Sequence, residues 1–551
     1  MAHTYTSKIT GRCLLSALIG SLLILSPHAL AQTPRFLPVV NYDSGGYLAN
    51  SVVVGDLNGD GILDVVVSHK CAIGDTCPNG QGYTCWLSEW CSPGAVGVLL
   101  GNGDGTFQPA VTYETDGYIA TSIRLGDLNG DGKLDIAVVN ACGTLPDSNE
   151  VCPYGTVDVM FGKGDGTFGP PLGQVLAGWY PVSVSLGDLD GDGHLDMALA
   201  NVCLVQSTCS EGDCRCETGS AEVLLNMGGW FRETIYDSGG PWGRSVALAD
   251  VNRDGKIDVL LANSGSVGVL LGNGDGTLQS AVAYSSGVST SGFGSLAVDD
   301  VNGDDKPDVL AAGALGCSNG SCTYQGVVGV LLGKGDGTFQ PTVIYGSGAS
   351  FASSVVVSDV NGDSTPDLAV TNDGGRALGV LLGSGDGTFQ VPVTFDSGRS
   401  MNESVAVGDL NGDGKPDVII GNGGVGVLLN DTPFCTTAPT ITISTTPTSL
   451  WPPKGEMAPV TVSGAIRNSG TNCSIKTATY SVKDEYGKLQ PRGTVTLDEG
   501  GAYSFTVWLQ ALRLGTDLDG RLYTVTISAT NDARKTGSQS GTVIVPHDQG
   551  R

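Results

Sequence analysis

Charge is scarce in this chain, and positive charge is scarcer still: charged residues make up 15% of the sequence, with 28 Lys and Arg against 56 Asp and Glu. A formal charge of −28 argues against nucleic acid or an anionic membrane surface as a partner. Aromatic residues are 6% and there are only five histidines, of which His3, His28 and His547 lie near the ends. That leaves His69 and His194 in the body of the chain. No serine-nucleophile phrase, zinc-ligand spacing or phosphate loop accompanies them, so catalysis is the weaker reading. Long apolar runs are confined to Leu14–Leu25, and no later segment is apolar enough over a sufficient length to span a bilayer.

That first run follows Lys8 and Arg12 and precedes Ala29, Leu30 and Ala31, the pattern of a secretory signal over 1–31 cleaved before Gln32. An uncleaved membrane anchor is the alternative. Fifteen cysteines fit a secreted chain: without Cys13, fourteen remain in local clusters. These are Cys71, Cys77, Cys85 and Cys91; Cys142 and Cys152; Cys203, Cys209, Cys214 and Cys216; Cys317 and Cys322; Cys435 and Cys473. Disulfides are expected, with zinc as the rival. Loss of Lys8 and Arg12 takes the charge from −28 to −30.

Glycine is abundant, at 84 residues, and Val, Thr and Asn recur in short runs, which suits many short strands joined by tight turns. At 551 residues, two or more domains are expected. One phrase, Asp-x-Asn/Asp-x-Asp-x-x-x-Asp, occurs seven times, with its first Asp at 56, 127, 188, 250, 300, 359 and 409. Apolar, strand-length runs flank each copy, as in Ser404–Gly408, Val418–Ile420 and Val425–Leu429. A second phrase, Gly-Asp-Gly-Thr-Phe/Leu, begins at Gly103, Gly164, Gly274, Gly335 and Gly385 and leads into a fourth run such as Gln340–Tyr345. Four short strands per unit, repeated at this spacing, predict an all-β fold, a seven-bladed β-propeller over 32–434.

The last unit stops at Asn430 without a fourth strand, whereas Arg35–Tyr42 looks like a fourth strand without its unit. The two are expected to pair and close the ring, leaving no free sheet edge. A disordered N-terminal tail is the alternative. Three cysteine-bearing insertions, Gly74–Pro93, Gly143–Pro153 and Leu204–Gly219, fall between second and third strands, where long loops on a rigid scaffold commonly bind ligands. They could equally be decoration against proteolysis. Tyr83, Trp86, Trp90 and Trp179 are candidate ligand contacts, with packing beneath the loops as the alternative.

The nine-residue phrase offers hard oxygen ligands at positions 1, 3 and 5, a backbone carbonyl at 7 and a carboxylate at 9, the chemistry Ca²⁺ prefers. In the first loop these are Asp56, Asn58, Asp60, Ile62 and Asp64; in the second Asp127, Asn129, Asp131, Lys133 and Asp135; in the third Asp188, Asp190, Asp192, His194 and Asp196. The fourth has Asp250, Asn252, Asp254, Lys256 and Asp258; the fifth Asp300, Asn302, Asp304, Lys306 and Asp308. Asp359, Asn361, Asp363, Thr365 and Asp367 form the sixth, and Asp409, Asn411, Asp413, Lys415 and Asp417 the seventh. Position 12 is apolar in every copy (Val67, Val138, Leu199, Leu261, Ala311, Val370, Ile420), so the loop is a hairpin connection and not an EF-hand, which needs an acidic residue there. Good turn-making is the bland alternative for so many Asp and Asn. Asp305 and Ser364 replace glycine at position 6, so the fifth and sixth loops are expected to bind more weakly. Asp104 and its equivalents read as turn residues.

These units resemble the FG-GAP/VCBS repeats, the propeller family that includes the integrin α-subunit head. The resemblance covers 36–430 and implies that each acidic loop joins the first and second strands of a blade and binds Ca²⁺. After Asn430, runs such as Thr440–Ile443, Val460–Val462, Tyr503–Val507 and Tyr523–Ile527 predict about seven strands over 435–551, similar to a bacterial Ig-like β-sandwich. Trp451 and Trp508 are expected in its core. The expected function is a secreted, monomeric, non-catalytic binding or adhesion module for an extracellular glycan or protein, without membrane insertion. A Ca²⁺-dependent polysaccharide lyase or hydrolase is the alternative.

Overall fold

The computed structural model describes residues 33–72, 93–143, 154–172, 175–204, 218–289, 294–315, 325–399, 403–433, 437–468, 473 and 475–547, except 489, 499, 513, 515, 517–518 and 532–534. The signal segment, most of the three long insertions, and Tyr83, Trp86 and Trp90 lie outside the described residues. The described residues are all-β, and none of their elements is a helix long and apolar enough to cross a membrane.

Up to residue 433 the strands form four-stranded antiparallel units. The first is Gly46–Gly55, Asp64–Ala72, Ala95–Leu99 and Val111–Glu114, in that spatial order. Units of the same plan begin with inner strands Tyr118–Gly126, Trp179–Gly187 and Ser245–Ala249. The next two share one strand: Val343–Ser358 is the outer strand of the unit begun by Leu296–Asp299, and it continues as the inner strand of its successor. A single run near Tyr345 was expected there; the chain instead stays extended through 16 residues and serves two sheets.

The last unit, Ser404–Gly408, Asp417–Gly421 and Val425–Leu428, takes its fourth strand from the N-terminus. Val40, Asn41 and Tyr42 pair antiparallel with Val427, Gly426 and Val425, and Phe36 bridges Asn430. The expected closure is present, with a shorter strand than Arg35–Tyr42. Each inner strand contacts the next around the molecule, and the last, Ser404–Gly408, contacts the first, so the units close into a β-propeller.

Packing explains why the second strands are apolar at nearly every position instead of alternating. Asp64–Ala72, Asp135–Cys142 and Asp258–Asn263 are buried almost throughout because neighbouring units cover both faces. Each apolar cluster therefore straddles two units: Val66 and Val98 of the first pack with Ile136 and Val138 of the second, and Val65 of the first with Ile419 and Val427 of the last.

Residues from 437 onward form two sheets. One orders Thr440–Thr446, Met457–Arg467 and Ala502–Gln510; the other Arg492–Thr494, Ile475–Asp484, Arg521–Asn531 and Thr536–Val545. They enclose one core that includes Val460, Val507, Tyr523 and Val543. Trp451 and Trp508 correct the expectation for this region, being 42% and 56% exposed. Strand alternation is the reason: Val507 and Leu509 point inward, so Trp508 points out, and Leu450 takes the buried place beside Trp451.

Candidate functional site: the acidic hairpins and the channel

Every acidic phrase lies between the inner and second strands of its unit, so all seven loops project from one end of the propeller. Register enforces this: Gly55 pairs with Asp64 and Gly126 with Asp135, enclosing positions 1 to 9 in a hairpin connection.

Within a loop the side-chain oxygens are organised by backbone amides. Asp56 Oδ1 accepts from Gly59 and Asp60 N–H at 2.8 and 3.2 Å, and its Oδ2 from Gly61 N–H at 2.9 Å. Asn58 Oδ1 accepts from Asp60 N–H at 3.0 Å, and Asp60 Oδ1 from Ile62 N–H at 2.8 Å. The arrangement repeats around Asp127, Asp188, Asp250, Asp300, Asp359 and Asp409. Position 7 residues Lys133, His194, Lys256, Lys306, Thr365 and Lys415 donate their N–H to position 5, here Asp131, Asp192, Asp254, Asp304, Asp363 and Asp413. His194 is exposed, as expected of a residue contributing main chain. Asn129, Asn252, Asn302, Asn361 and Asn411 at position 3, and Asp190 in the third loop, each accept from the position-5 amide.

Position 9 is different in kind. Asp64, Asp135, Asp196, Asp258, Asp308, Asp367 and Asp417 are all fully buried. Asp64 Oδ2 accepts from Leu57 N–H at 2.9 Å and its Oδ1 from Gly101 N–H at 2.8 Å, tying the loop to the start of the Gly-Asp-Gly-Thr turn. Burial raises these carboxyls, with the neighbouring loop aspartates adding to the effect: Asp308 and Asp417 to about 6, Asp367 to about 8. In the third loop, carboxylate oxygens of Asp188, Asp190 and Asp196 lie within 4.8 Å of one another, close enough to share one cation. An all-oxygen donor set with clustered carboxylates fits a hard divalent ion.

The glycine positions behave as the turn requires. Gly61, Gly132, Gly193, Gly255 and Gly414 have φ near +80°, and Asp305 and Ser364, their counterparts in the fifth and sixth loops, are held at +61° and +64°. Asp104, Asp165, Asp275, Asp336 and Asp386 are exposed caps whose pKa values are lowered by hydrogen bonds from the Thr two residues on.

Two recurring devices went unread in the sequence. A serine stands five residues before the first Asp of every phrase, at 51, 122, 183, 245, 295, 354 and 404. Its hydroxyl oxygen reaches the next unit: Ser122 accepts from Val184 N–H at 3.3 Å, Ser183 from Val246 N–H at 3.2 Å, Ser245 from Leu296 N–H at 3.2 Å and Ser404 from Val52 N–H at 3.2 Å. The other is an outer-strand tyrosine set edge-on to the next unit's Gly-Asp-Gly-Thr-Phe ring, as in Tyr113 on Phe168 and Tyr284 on Phe339, with centroids 5.8 and 5.2 Å apart. The fixed offset of the serine was the available signal.

The inner strands enclose a channel of about 630 Å³, lined by serines and by Lys70, Arg124, Tyr180, Arg244 and Glu403. Trp179, a candidate contact, is half-buried where its inner strand begins, at the end opposite the acidic loops.

A closed ring of four-stranded units with an acidic hairpin in each defines a repeat β-propeller. Four segments, 86–138, 151–199, 250–311 and 359–420, match the FG-GAP-like repeat. The propeller thus carries FG-GAP-like repeats. Among solved structures it is similar to an Agrocybe aegerita lectin that recognises non-reducing terminal N-acetylglucosamine, at 19% identity over 66% of this chain and 90% of that one, with a TM-score of 0.40. It is also similar to the V. cholerae biofilm matrix protein Bap1 (13% identity, 73% and 91% covered, TM-score 0.35) and to the exotype rhamnogalacturonan lyase YesX (13%, 93% and 91%, 0.35). Similarity this distant carries no functional information.

Proposed function

We propose that the chain is a secreted, calcium-binding propeller followed by an Ig-like module, and that it serves as a non-catalytic extracellular binding or adhesion protein for a glycan or a protein. The observation behind it is the repeated backbone-anchored turn of oxygen-bearing residues, together with the convergence of Asp188, Asp190 and Asp196 in the third loop. Several carboxylates at such spacing repel one another until a cation neutralises them. In the second, fourth, fifth and seventh loops the position-7 lysine leans on the position-5 carboxylate, at 3.5, 3.8, 2.8 and 3.0 Å. These exposed pairs are weak and leave the ion's place open.

Secretion fits the cysteines, fourteen of which lie in local clusters once Cys13 is set aside, as expected of disulfides formed outside the cytosol. Metal analysis of the mature protein after dialysis tests the reading. About one Ca²⁺ per acidic loop is expected, together with a lower Tm in EDTA that added Ca²⁺ restores. Essentially no bound metal and an unchanged Tm would overturn it. Turnover of acidic polysaccharide by the purified protein would move the function to a lyase or hydrolase; glycan-array binding without product supports the binding module.

A further inference from the structure

The channel end opposite the acidic loops departs from the rest of the protein in charge and in backbone strain. In a chain with twice as many acidic as basic residues, Arg244 and Lys70 line the cavity toward this end, while Arg124, close to Asp127 on its strand, lines it toward the acidic loops. Lys70 lies 3.8 Å from Glu403, but among the described residues neither arginine has a carboxylate within ion-pair distance. Arg124 spends one nitrogen on the carbonyl of Ile123 at 2.8 Å. Arg244 Nε is buried without a partner, and its guanidinium is held over the Trp242 ring at 5.3 Å. A buried guanidinium nitrogen without a partner is costly, so an anion supplied from outside would relieve Arg244.

Backbone geometry at the same end is an independent observation. Leu48, Ile119, Tyr180, Trp242 and Phe351 occupy matching positions near the start of their inner strands, and all five have φ between +50° and +61°. Bulky side chains in the left-handed region cost of order 1 kcal/mol or more each, and such strain concentrates where side chains must be aimed at a ligand. A register break accompanies it between Ala49 and Ser51 and between Pro181 and Ser183, and Ile119 and Tyr180 line the channel there. Serine hydroxyls below them accept from the neighbouring unit.

We propose that this channel mouth binds a carboxylate-bearing saccharide terminus, with the carboxylate on Arg244, the sugar face on Tyr180 and its hydroxyls on the serine ring. The inference rests on the binding-module reading and names its ligand class. A guanidinium fork matches a carboxylate in two parallel hydrogen bonds, and 630 Å³ admits one or two sugar rings. Glu403, on the unit beside that of Lys70, opposes the anion and limits affinity.

The test is ligand-observed NMR and calorimetry on the full mature chain in calcium, with D-glucuronate, its neutral counterpart methyl glucoside, and inorganic phosphate as probes. Glucuronate is expected to bind at least about tenfold more tightly than methyl glucoside; Arg244→Gln is expected to lose about tenfold, and Glu403→Gln to gain severalfold. Equal binding of the two sugars, wild-type affinity in a folded Arg244→Gln, or displacement of glucuronate by equimolar phosphate would each overturn the proposal. Should Arg244→Gln not fold, Arg244→Lys, which loses the guanidinium fork, and Glu403→Gln decide between the same outcomes. No channel residue belongs to an acidic loop, so Tm with and without EDTA on the same samples reports on the calcium reading separately.

Discussion

Arg521 is the largest fully buried side chain, and it is charged: its Nε and Nη2 hold both oxygens of Asp484 at 2.9 and 2.6 Å, between the rings of Tyr486 and Tyr523. Removing one partner strands the other in the core, so Arg521→Ala is expected to destabilise the C-terminal sandwich by about 3–5 kcal/mol in chemical denaturation. Glu222 carries a different cost. Burial raises its carboxyl from 4.5 to about 7, although Asn201 and the Gly178 N–H donate to one oxygen; the other has no partner. A carboxyl raised on folding contributes its stability below the unfolded pKa and loses it as pH rises through the folded one, here between 4.5 and about 7. Glu222→Gln is therefore expected to raise Tm at pH 8 and to change it little at pH 5. Arg253, held at φ +60° where all six other loops have a glycine with φ between +71° and +79° at the matching fourth position, is strained on the same scale. Arg253→Gly is expected to stabilise by about 1 kcal/mol in urea denaturation.

At the scale of elements, the ring is held at three radii: serine hydroxyls at the channel, apolar clusters between second and third strands, and tyrosine on phenylalanine at the rim. Ser183→Ala removes one buried inter-unit hydrogen bond and is expected to cost about 1 kcal/mol. The N-terminal strand is a greater dependency, because Val40–Tyr42 covers the edge of Val425–Leu428. Without residues 33–43 that edge is exposed, and concentration-dependent association by light scattering is the expected result. The existence and rough placement of the apolar strand runs were legible in the sequence. Where one sheet ended and the next began was not, as Val343–Ser358 shows: nothing in its composition marks the point at which it leaves one neighbour for another.

For the whole molecule, the formal charge of −28 is distributed by the fold: the acidic phrases gather at one end, while Lys70 and Arg244 line the channel toward the other. The sequence alone determined the repeat, the all-β class, the loop positions of the oxygen-bearing residues and the pairing of the N-terminal strand with the last propeller unit, because each follows from residue type at a fixed spacing along the chain. Tertiary structure alone decided what spacing does not encode. It sank the ninth-position aspartates out of solvent and turned Trp508 outward. It also brought Arg124 and Arg244, from different units, to one cavity. Those outcomes depend on which surfaces meet when the ring closes, and burial and proximity between distant residues exist only once it has.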